Sequence, residues 1–192
     1  MTMVAPAGAA EDGPAVVVER LHGGLLGVLK DSDQLPYEAR FARLRPLLAD
    51  TFDLDFMAEK AVGRAWNKLD ADDRARWTKA FRNFTTANYA GRFTGFTGQS
   101  FETLGTDEGA SETKVVRTRL LNPSGEDVAL TYRLWRTDDG WRIIDVYLDG
   151  TVSELALRRT EYASVLKRDG FERLLVLLTE KTEKLAAEAA EG

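Results

Sequence analysis

Residues 127–149, DVALTYRLWRTDDGWRIIDVYLD, decide the fold class of this chain. Two stretches rich in valine, leucine, isoleucine and aromatic residues flank the turn signal Asp138-Asp139-Gly140, a pattern typical of a β-hairpin. Because side chains alternate between the two faces of a strand, one face of this hairpin is strongly apolar. The side chains expected on that face are Val128, Leu130, Tyr132, Leu134, Ile144, Val146 and Leu148.

Two further strand patterns precede the hairpin. Residues 101–105 and 112–121 are rich in β-branched, leucine and aromatic residues, and Asn122-Pro123-Ser124-Gly125 supplies the chain reversal that follows them. Together with strands at 127–137 and 141–149, they predict a four-stranded antiparallel meander.

Helical patterns lie on both sides of these strands. Apolar residues at helical spacing predict four helices before the strands, at about residues 14–29, 36–48, 53–62 and 70–92. Two more helices follow Gly150 and are separated by Gly170. The sequence therefore predicts an α+β fold, in which a curved four-stranded antiparallel sheet is wrapped by about six helices, NTF2-like in outline.

Length and composition exclude several classes of protein. The 192 residues include 26 basic and 31 acidic side chains, one histidine and no cysteine. This length predicts a single domain at residues 16–189, preceded by an alanine-, proline- and glycine-rich leader at residues 1–15 that we expect to be disordered, a possible remnant of an exported precursor. Without cysteine the chain forms no disulfide, thiol nucleophile or zinc finger. The net charge of −5 argues against a nucleic-acid partner.

The sequence contains none of the common catalytic or cofactor-binding motifs. GxGxxG, Walker, HExxH and GxSxG patterns are all absent, so we expect no cofactor. His22 has no nucleophile or carboxylate nearby in the sequence and is interpreted as a structural or exposed residue. Asp53, Asp55 and Glu59 are interpreted as capping residues of a short helix, so no metal site is expected.

Asp145 offers an alternative that involves catalysis. An acid and a tyrosine inside a curved sheet resemble the NTF2-like isomerases and hydratases, in which a carboxylate moves a proton and a phenol stabilises an oxyanion. Asp145 with Tyr132 or Tyr147 would be the corresponding pair. The simpler interpretation is that Asp145 forms an ion pair with Arg142 or Arg159.

An aromatic stripe from Trp77 to Tyr89 runs along the helix predicted at residues 70–92. This stripe, the other amphipathic helices and the apolar sheet face offer more apolar surface than close packing requires, which favours a lipid-sized apolar cavity between sheet and helices. The glycine-rich segment around Gly91, Gly95 and Gly98 is the expected hinge. The residues expected to line the cavity are Phe81, Phe84, Tyr89, Val116, Leu130, Tyr132, Leu134, Ile144, Val146 and Leu148.

Four segments resemble the MlaC family, also called the toluene-tolerance family, of periplasmic lipid-binding proteins. They are DFMAEKAVGRAW at 55–66, DDRARWTKAFRNF at 72–84, NYAGRF at 88–93 and WRIIDVYLDG at 141–150. Trp77 stands where the family usually has phenylalanine. The stretch DGTVSELALRRTEYASVLKRDG at 149–170 departs from the common phospholipid-carrier pattern and resembles the hopanoid-associated branch named HpnM.

The resemblance implies a non-catalytic periplasmic carrier that shuttles phospholipid or a hopanoid-type lipid between membranes. The implied partners are that lipid, a membrane-bound lipid transporter complex and, transiently, the membrane, with no nucleic acid; the carrier itself is expected to be a monomer. Two alternatives stay open at this point: an NTF2-like isomerase or hydratase using Asp145 and a tyrosine, and a protein-binding adaptor without a cavity.

Overall fold

A computed structural model describes residues 12–191 of the chain. Within these residues the helices are α1 (Pro14–Lys30), α2 (Tyr37–Thr51), α3 (Leu54–Val62), a 3₁₀ helix (Gly63–Lys68), α4 (Ala71–Arg92) and α5 (Glu154–Glu191). The strands are β1 (Ser100–Glu108), β2 (Lys114–Leu121), β3 (Val128–Thr137), β4 (Gly140–Leu148) and β5 (Val152–Ser153).

The strands form one antiparallel sheet in the order β1-β2-β3-β4-β5, so each strand pairs with its neighbour in the chain. The predicted α+β class and antiparallel meander are confirmed, whereas the predicted number of four strands is wrong. The additional strand, β5, has two residues that pair with Tyr147 and Leu148. A strand this short carries no recognisable alternation in its sequence.

A β-bulge interrupts the alternation of side chains in β4. Arg133 pairs with Asp145, but the next residue of β3, Leu134, pairs with Ile143. Ile144 is therefore an additional residue in β4, and the alternation of side chains between the two faces shifts by one residue across the bulge. As a result Ile143, rather than Ile144, shares a face of the sheet with Leu134.

The predicted number of six helices is also wrong, because the last two predicted helices form one element. At Gly170 in α5 the φ of 84° and ψ of −179° are not helical, and helix continues on both sides without a loop. Glycine adopts such a backbone conformation at little steric cost. Gly170 thus divides α5 into two helical segments at the position where the sequence predicted the boundary between two helices.

Aspartate side chains begin two of the helices, as their positions in the sequence predict. A carboxylate oxygen of Asp70 accepts a hydrogen bond of 2.8 Å from the Asp73 N–H at the start of α4. Asp53 accepts one of 2.9 Å from the Phe56 N–H at the start of α3. Such caps satisfy N–H groups that lack a partner within the helix.

Across residues 12–191, no helix combines the length and the apolar character that crossing a membrane would require.

The predicted leader comprises residues 1–15, and residues 1–11 lie outside the part of the chain that the structure describes. Its last two residues, Pro14 and Ala15, belong to the first turn of α1. Proline suits this position because its missing N–H would have no partner inside the helix. α1 therefore begins two residues before the predicted boundary at residue 16.

The helices pack on the sheet and on one another around a continuous core. α1 packs on β1, β2 and β4, while α4 packs on α2, α3 and α5. Trp77 of α4 is fully buried at the centre, where its indole N–H donates a 2.8 Å hydrogen bond to the Ala58 carbonyl and its ring meets Tyr162 edge-on at 5.3 Å. These contacts hold the first half of α4 against the other helices, and Phe81, one turn after Trp77, begins the part of α4 that faces the sheet across a cavity.

Candidate functional site

A cavity of about 380 Å³ lies between α4 and the sheet. Four helices and three strands contribute to its walls, which are mainly aliphatic and aromatic. The apolar lining residues are Leu25, Leu29, Phe52, Met57, Phe81, Phe93, Leu120, Val128, Leu130, Val146, Leu148 and Leu155. The arrangement can shelter an apolar ligand from water.

Six of the ten residues predicted to line a cavity do so. From α4 these are Phe81 and Tyr89, and from the sheet they are Leu130, Tyr132, Val146 and Leu148. The sheet residues come from paired positions, because Leu130 pairs with Leu148 and Tyr132 with Val146. Facing pairs of this kind form a continuous apolar surface on one side of an antiparallel sheet.

The other four predicted residues lie outside the cavity. Val116 and Leu134 are fully buried in the core, and Phe84 lies beneath the Arg158 guanidinium group at 4.9 Å. Ile144 is the additional residue of the β4 bulge, so it leaves the face that uninterrupted alternation had assigned to it. Apolar patterning identifies buried positions, but it does not distinguish a packed core from a cavity wall.

Several lining residues were not predicted from the sequence. Leu25 and Leu29 come from α1, and Phe52 and Met57 come from the end of α2 and from α3. Helical spacing indicated burial of Leu25 and Leu29, yet nothing in the sequence showed that this face of α1 borders the cavity. That information depends on the angle at which each helix crosses the sheet.

Polarity increases along the side of α4 that faces the cavity. Phe81 is fully buried, Thr85 and Tyr89 follow at successive turns, and Arg92 is exposed at the end of the helix. Arg158 of α5 joins Arg92 at this more polar end, where its guanidinium group pairs with the Glu154 carboxylate at 3.6 Å. The other polar residues of this rim are Asn88, Thr94, Gln99, Asn122 and Glu154. The cavity therefore has an apolar interior and a polar rim, whose charged residues are two arginines and one glutamate.

His22 does not line the cavity but contacts Tyr132, which does. Its Nε2 atom lies 3.0 Å from the Tyr132 hydroxyl, and its ring stacks on Phe101 with the ring centres 3.8 Å apart. Burial lowers the pKa of His22 to about 4, so the imidazole is neutral near pH 7. Burial also raises the pKa of the Tyr132 and Tyr89 hydroxyls, which therefore stay protonated. These observations agree with the structural interpretation of His22.

Asp145 is held by hydrogen bonds at the junction of the sheet with α5. One of its carboxylate oxygens accepts hydrogen bonds from the N–H groups of Val146 at 2.8 Å and Leu155 at 3.2 Å. The other accepts a 2.6 Å bond from the Ser153 hydroxyl. The predicted ion pair with an arginine is replaced by these bonds. The register partner of Asp145 across the sheet is Arg133, and the Tyr132 hydroxyl is bonded to His22, so the structure does not bring Asp145 and Tyr132 together. Tyr147, the other predicted partner, lies two residues after Asp145 in β4, and neither residue lines the cavity.

The acidic residues near the start of α3 have other partners. Asp53 caps α3 and accepts a 3.1 Å hydrogen bond from the Trp135 indole, while Asp55 accepts a 2.8 Å bond from Arg82. Glu59 pairs with Lys60 at 2.6 Å. Within the part of the chain that the structure describes, no cluster of three or more histidine, aspartate or glutamate side chains is arranged to hold a metal ion.

A larger surface groove of about 740 Å³ lies on the outer side of α3 and α4. Charged side chains contribute much of its lining, and some are already paired, such as Arg82 with Asp55. The Arg74 guanidinium group lies 5.2 Å from the Trp66 ring. None of the ten predicted residues contributes to this groove. The better candidate for an apolar ligand is therefore the inner cavity.

Comparisons with known proteins identify the family. Residues 19–180 match the family model described as MlaC protein. Among solved structures, the chain is similar to the phospholipid-binding protein from Ralstonia solanacearum in complex with a phospholipid, with a TM-score of 0.80 and 23% sequence identity over 91% of this chain and 99% of the other. A search of curated proteins gives no match. Because the family model spans most of its sequence, this chain belongs to the MlaC family.

Proposed function

We propose that this protein binds a phospholipid and holds its acyl chains in the cavity between α4 and the sheet. The observation that carries the proposal is the combination of apolar walls and a polar rim with two arginines in one cavity of an MlaC-family chain. The phospholipid complex of the similar Ralstonia solanacearum protein supports the same class of ligand.

The physical reason for such a cavity is the cost of exposing acyl chains to water. Each methylene group contributes about 0.8 kcal/mol, so about ten methylene groups contribute about 8 kcal/mol. The cavity volume of about 380 Å³ lies near the lower end of the usual range for small-molecule sites, about 300–1,000 Å³, so a second long acyl chain would enter only if the cavity widens. A phosphate-bearing headgroup would remain at the rim, beside Arg92 and Arg158.

We further propose that the protein is a periplasmic carrier, which takes its lipid from one membrane and delivers it to a membrane-bound transporter complex. Release requires the cavity to open. Gly95 and Gly98, with φ values of 71° and 103°, lie beside the rim residues Thr94 and Gln99 and are the proposed hinge. The resemblance of residues 149–170 to the HpnM branch makes a hopanoid-type lipid the alternative cargo.

The proposed role is non-catalytic. The carboxylate of Asp145 already accepts three hydrogen bonds at the start of α5. The Tyr132 hydroxyl is bonded to His22 instead. These separate hydrogen bonds favour a structural role for both residues, as components of the cavity wall and of its attachment to α5.

Native purification from a bacterial host, solvent extraction and mass spectrometry test the proposal. We expect a stoichiometric amount of phospholipid to be released. Leu130→Asp places a charge on the cavity wall, and lipid retention should be lost because an unpaired charge in an apolar site is costly. Ala129→Asp is the matched control, since it places the same charge at the exposed neighbouring position of β3 and should leave the lipid content unchanged.

Three outcomes would change the proposal. A wild-type protein that is purified without lipid and takes none from phospholipid vesicles would contradict it. A folded Leu130→Asp variant with the wild-type lipid content would contradict the placement of the ligand. A polycyclic lipid in the extract would replace phospholipid by the hopanoid-type cargo.

A further inference from the structure

Thr85, on the α4 wall of the cavity, has a hydroxyl group without a hydrogen-bond partner. The residue is 6% exposed, and its Oγ1 atom is buried. Threonine hydroxyls elsewhere in the helices donate to the carbonyl one turn earlier, as Thr86 does to Arg82 at 2.9 Å and Thr51 does to Leu47 at 2.8 Å. Among the residues that the structure describes, one other buried hydroxyl has no partner within hydrogen-bond geometry, that of Tyr162, which lies outside the cavity and interacts with Arg158. Buried polar groups are normally paired, so an unpaired one in a cavity wall indicates a ligand contact.

The position of Thr85 along α4 indicates which part of a lipid it meets. Thr85 lies one turn from the fully buried Phe81 and about two turns from the exposed Arg92, which corresponds to about 6 Å and about 10 Å of helix rise. A diacyl phospholipid has the same order of polarity along its length: apolar chains, ester groups, then a charged headgroup. With the chains beside Phe81 and the headgroup beside Arg92, the ester groups lie at the level of Thr85.

The chemistry of the two groups is complementary. A threonine hydroxyl is a hydrogen-bond donor, and an ester carbonyl oxygen is an acceptor with no proton of its own. Other hydroxyl groups lie nearby, because Tyr89 follows Thr85 by one turn and Tyr132 lines the opposite, sheet side of the cavity. An ether-linked lipid has the same chains and headgroup but lacks the carbonyl oxygens.

We infer that Thr85 Oγ1 donates a hydrogen bond to an ester carbonyl oxygen of the bound lipid, so that the cavity selects ester-linked over ether-linked lipids. This inference rests on the proposed function, and it adds a specificity-determining residue to it. A neutral hydrogen bond of this kind corresponds to a preference of about 2- to 10-fold.

A competition experiment tests the inference. Lipid-free protein is incubated with vesicles that contain equal amounts of dioleoyl phosphatidylcholine and its diether counterpart, separated from them, and extracted for mass spectrometry. We expect wild-type protein to carry about 2- to 10-fold more ester than ether lipid. Thr85→Val removes the hydroxyl at nearly constant shape and should bring the ratio close to that of the vesicles.

Two variants serve as controls. Thr86→Val changes the adjacent buried threonine, which is bonded to Arg82 and does not line the cavity, so the ester preference should be unchanged. Thr85→Ser keeps the hydroxyl and should keep the preference. Because bound lipids are compared within one sample, the ratio does not depend on how much of a variant is folded.

The outcomes separate this inference from the proposed function. Equal binding of ester and ether lipid by wild-type protein overturns the inference and leaves phospholipid binding in place. An ester preference that persists in Thr85→Val overturns the assignment to Thr85. A wild-type protein that binds neither lipid overturns the proposed function and the inference with it.

Discussion

Replacing His22 with glutamine is expected to remove an acid-sensitive part of the stability of this protein. His22 is 4% exposed, stacks on Phe101 and contacts the Tyr132 hydroxyl at 3.0 Å. Its buried position disfavours the charged imidazolium and lowers its pKa from 6.5 to about 4. Glutamine keeps a group that can bond to the Tyr132 hydroxyl but does not titrate.

The sign and size of the effect follow from proton linkage. Between these two pKa values the unfolded chain binds a proton at His22 and the folded protein does not, so acid favours unfolding. The stability contributed by the neutral histidine is fully present above about pH 6.5 and is lost as the pH falls toward about 4. The gap between the pKa values corresponds to about 3 kcal/mol in the free energy of unfolding.

Urea unfolding followed by tryptophan fluorescence measures this effect, since Trp77 is buried in the core. The free energy of unfolding is determined for wild type and His22→Gln from about pH 7 to about pH 4.5. The wild-type value should decline more steeply, by about 2 to 3 kcal/mol over this range. Parallel pH dependences for the two proteins would refute the reasoning, because they would mean that His22 titrates alike in the folded and unfolded states.

Two further predictions concern stability. Asp145→Ala should lower the free energy of unfolding by about 2 to 3 kcal/mol, because it leaves buried donors unpaired. Asp145→Asn keeps an acceptor oxygen and should lower it less. Equal losses of the two variants in urea unfolding would contradict the assigned hydrogen bonds. Gly23→Ala should stabilise α1 by up to about 1 kcal/mol, since its added methyl group meets open space. Gly24→Ala should be less stable than Gly23→Ala, because its methyl group would collide with the Leu47 side chain; the reverse order in thermal melts would argue against this packing of α1 on α2.

The elements that could be predicted from the sequence are those with strong local signals. Asp70 as a cap and the aromatic stripe predict a helix at 70–92, and α4 spans Ala71–Arg92. The turn at Asp138-Asp139-Gly140 predicts the hairpin of β3 and β4. In both cases a capping or turn residue marks the end of the element, and apolar residues recur at regular spacing within it. Local conformational preference and tertiary packing therefore favour the same structure.

The parts that could not be predicted depend on contacts between elements. The bulge that displaces Ile144 is set by pairing with β3, and two-residue β5 has no period of its own. The open space beside Phe81 and Leu130 arises because α4 packs on other helices rather than closing onto the sheet. Phe84 and Leu134 have equally apolar patterns but lie outside that space. The amount of apolar surface therefore predicted a cavity between sheet and helices, but apolar periodicity did not determine which residues border it.

The two edges of the sheet have a consequence for how this protein behaves when it is crowded. At one edge, β1 has a register break between Thr103 and Gly105 and exposes the acidic side chains of Glu102, Asp107 and Glu108. At the other edge, β5 covers only Tyr147 and Leu148 of β4, and the Asp53 N–H donates a 2.9 Å hydrogen bond to the Ile143 carbonyl, which occupies part of the remaining β4 edge. Short, irregular and charged edges are poor templates for a strand from another molecule. These edges therefore disfavour strand-to-strand aggregation even when the apolar cavity is empty.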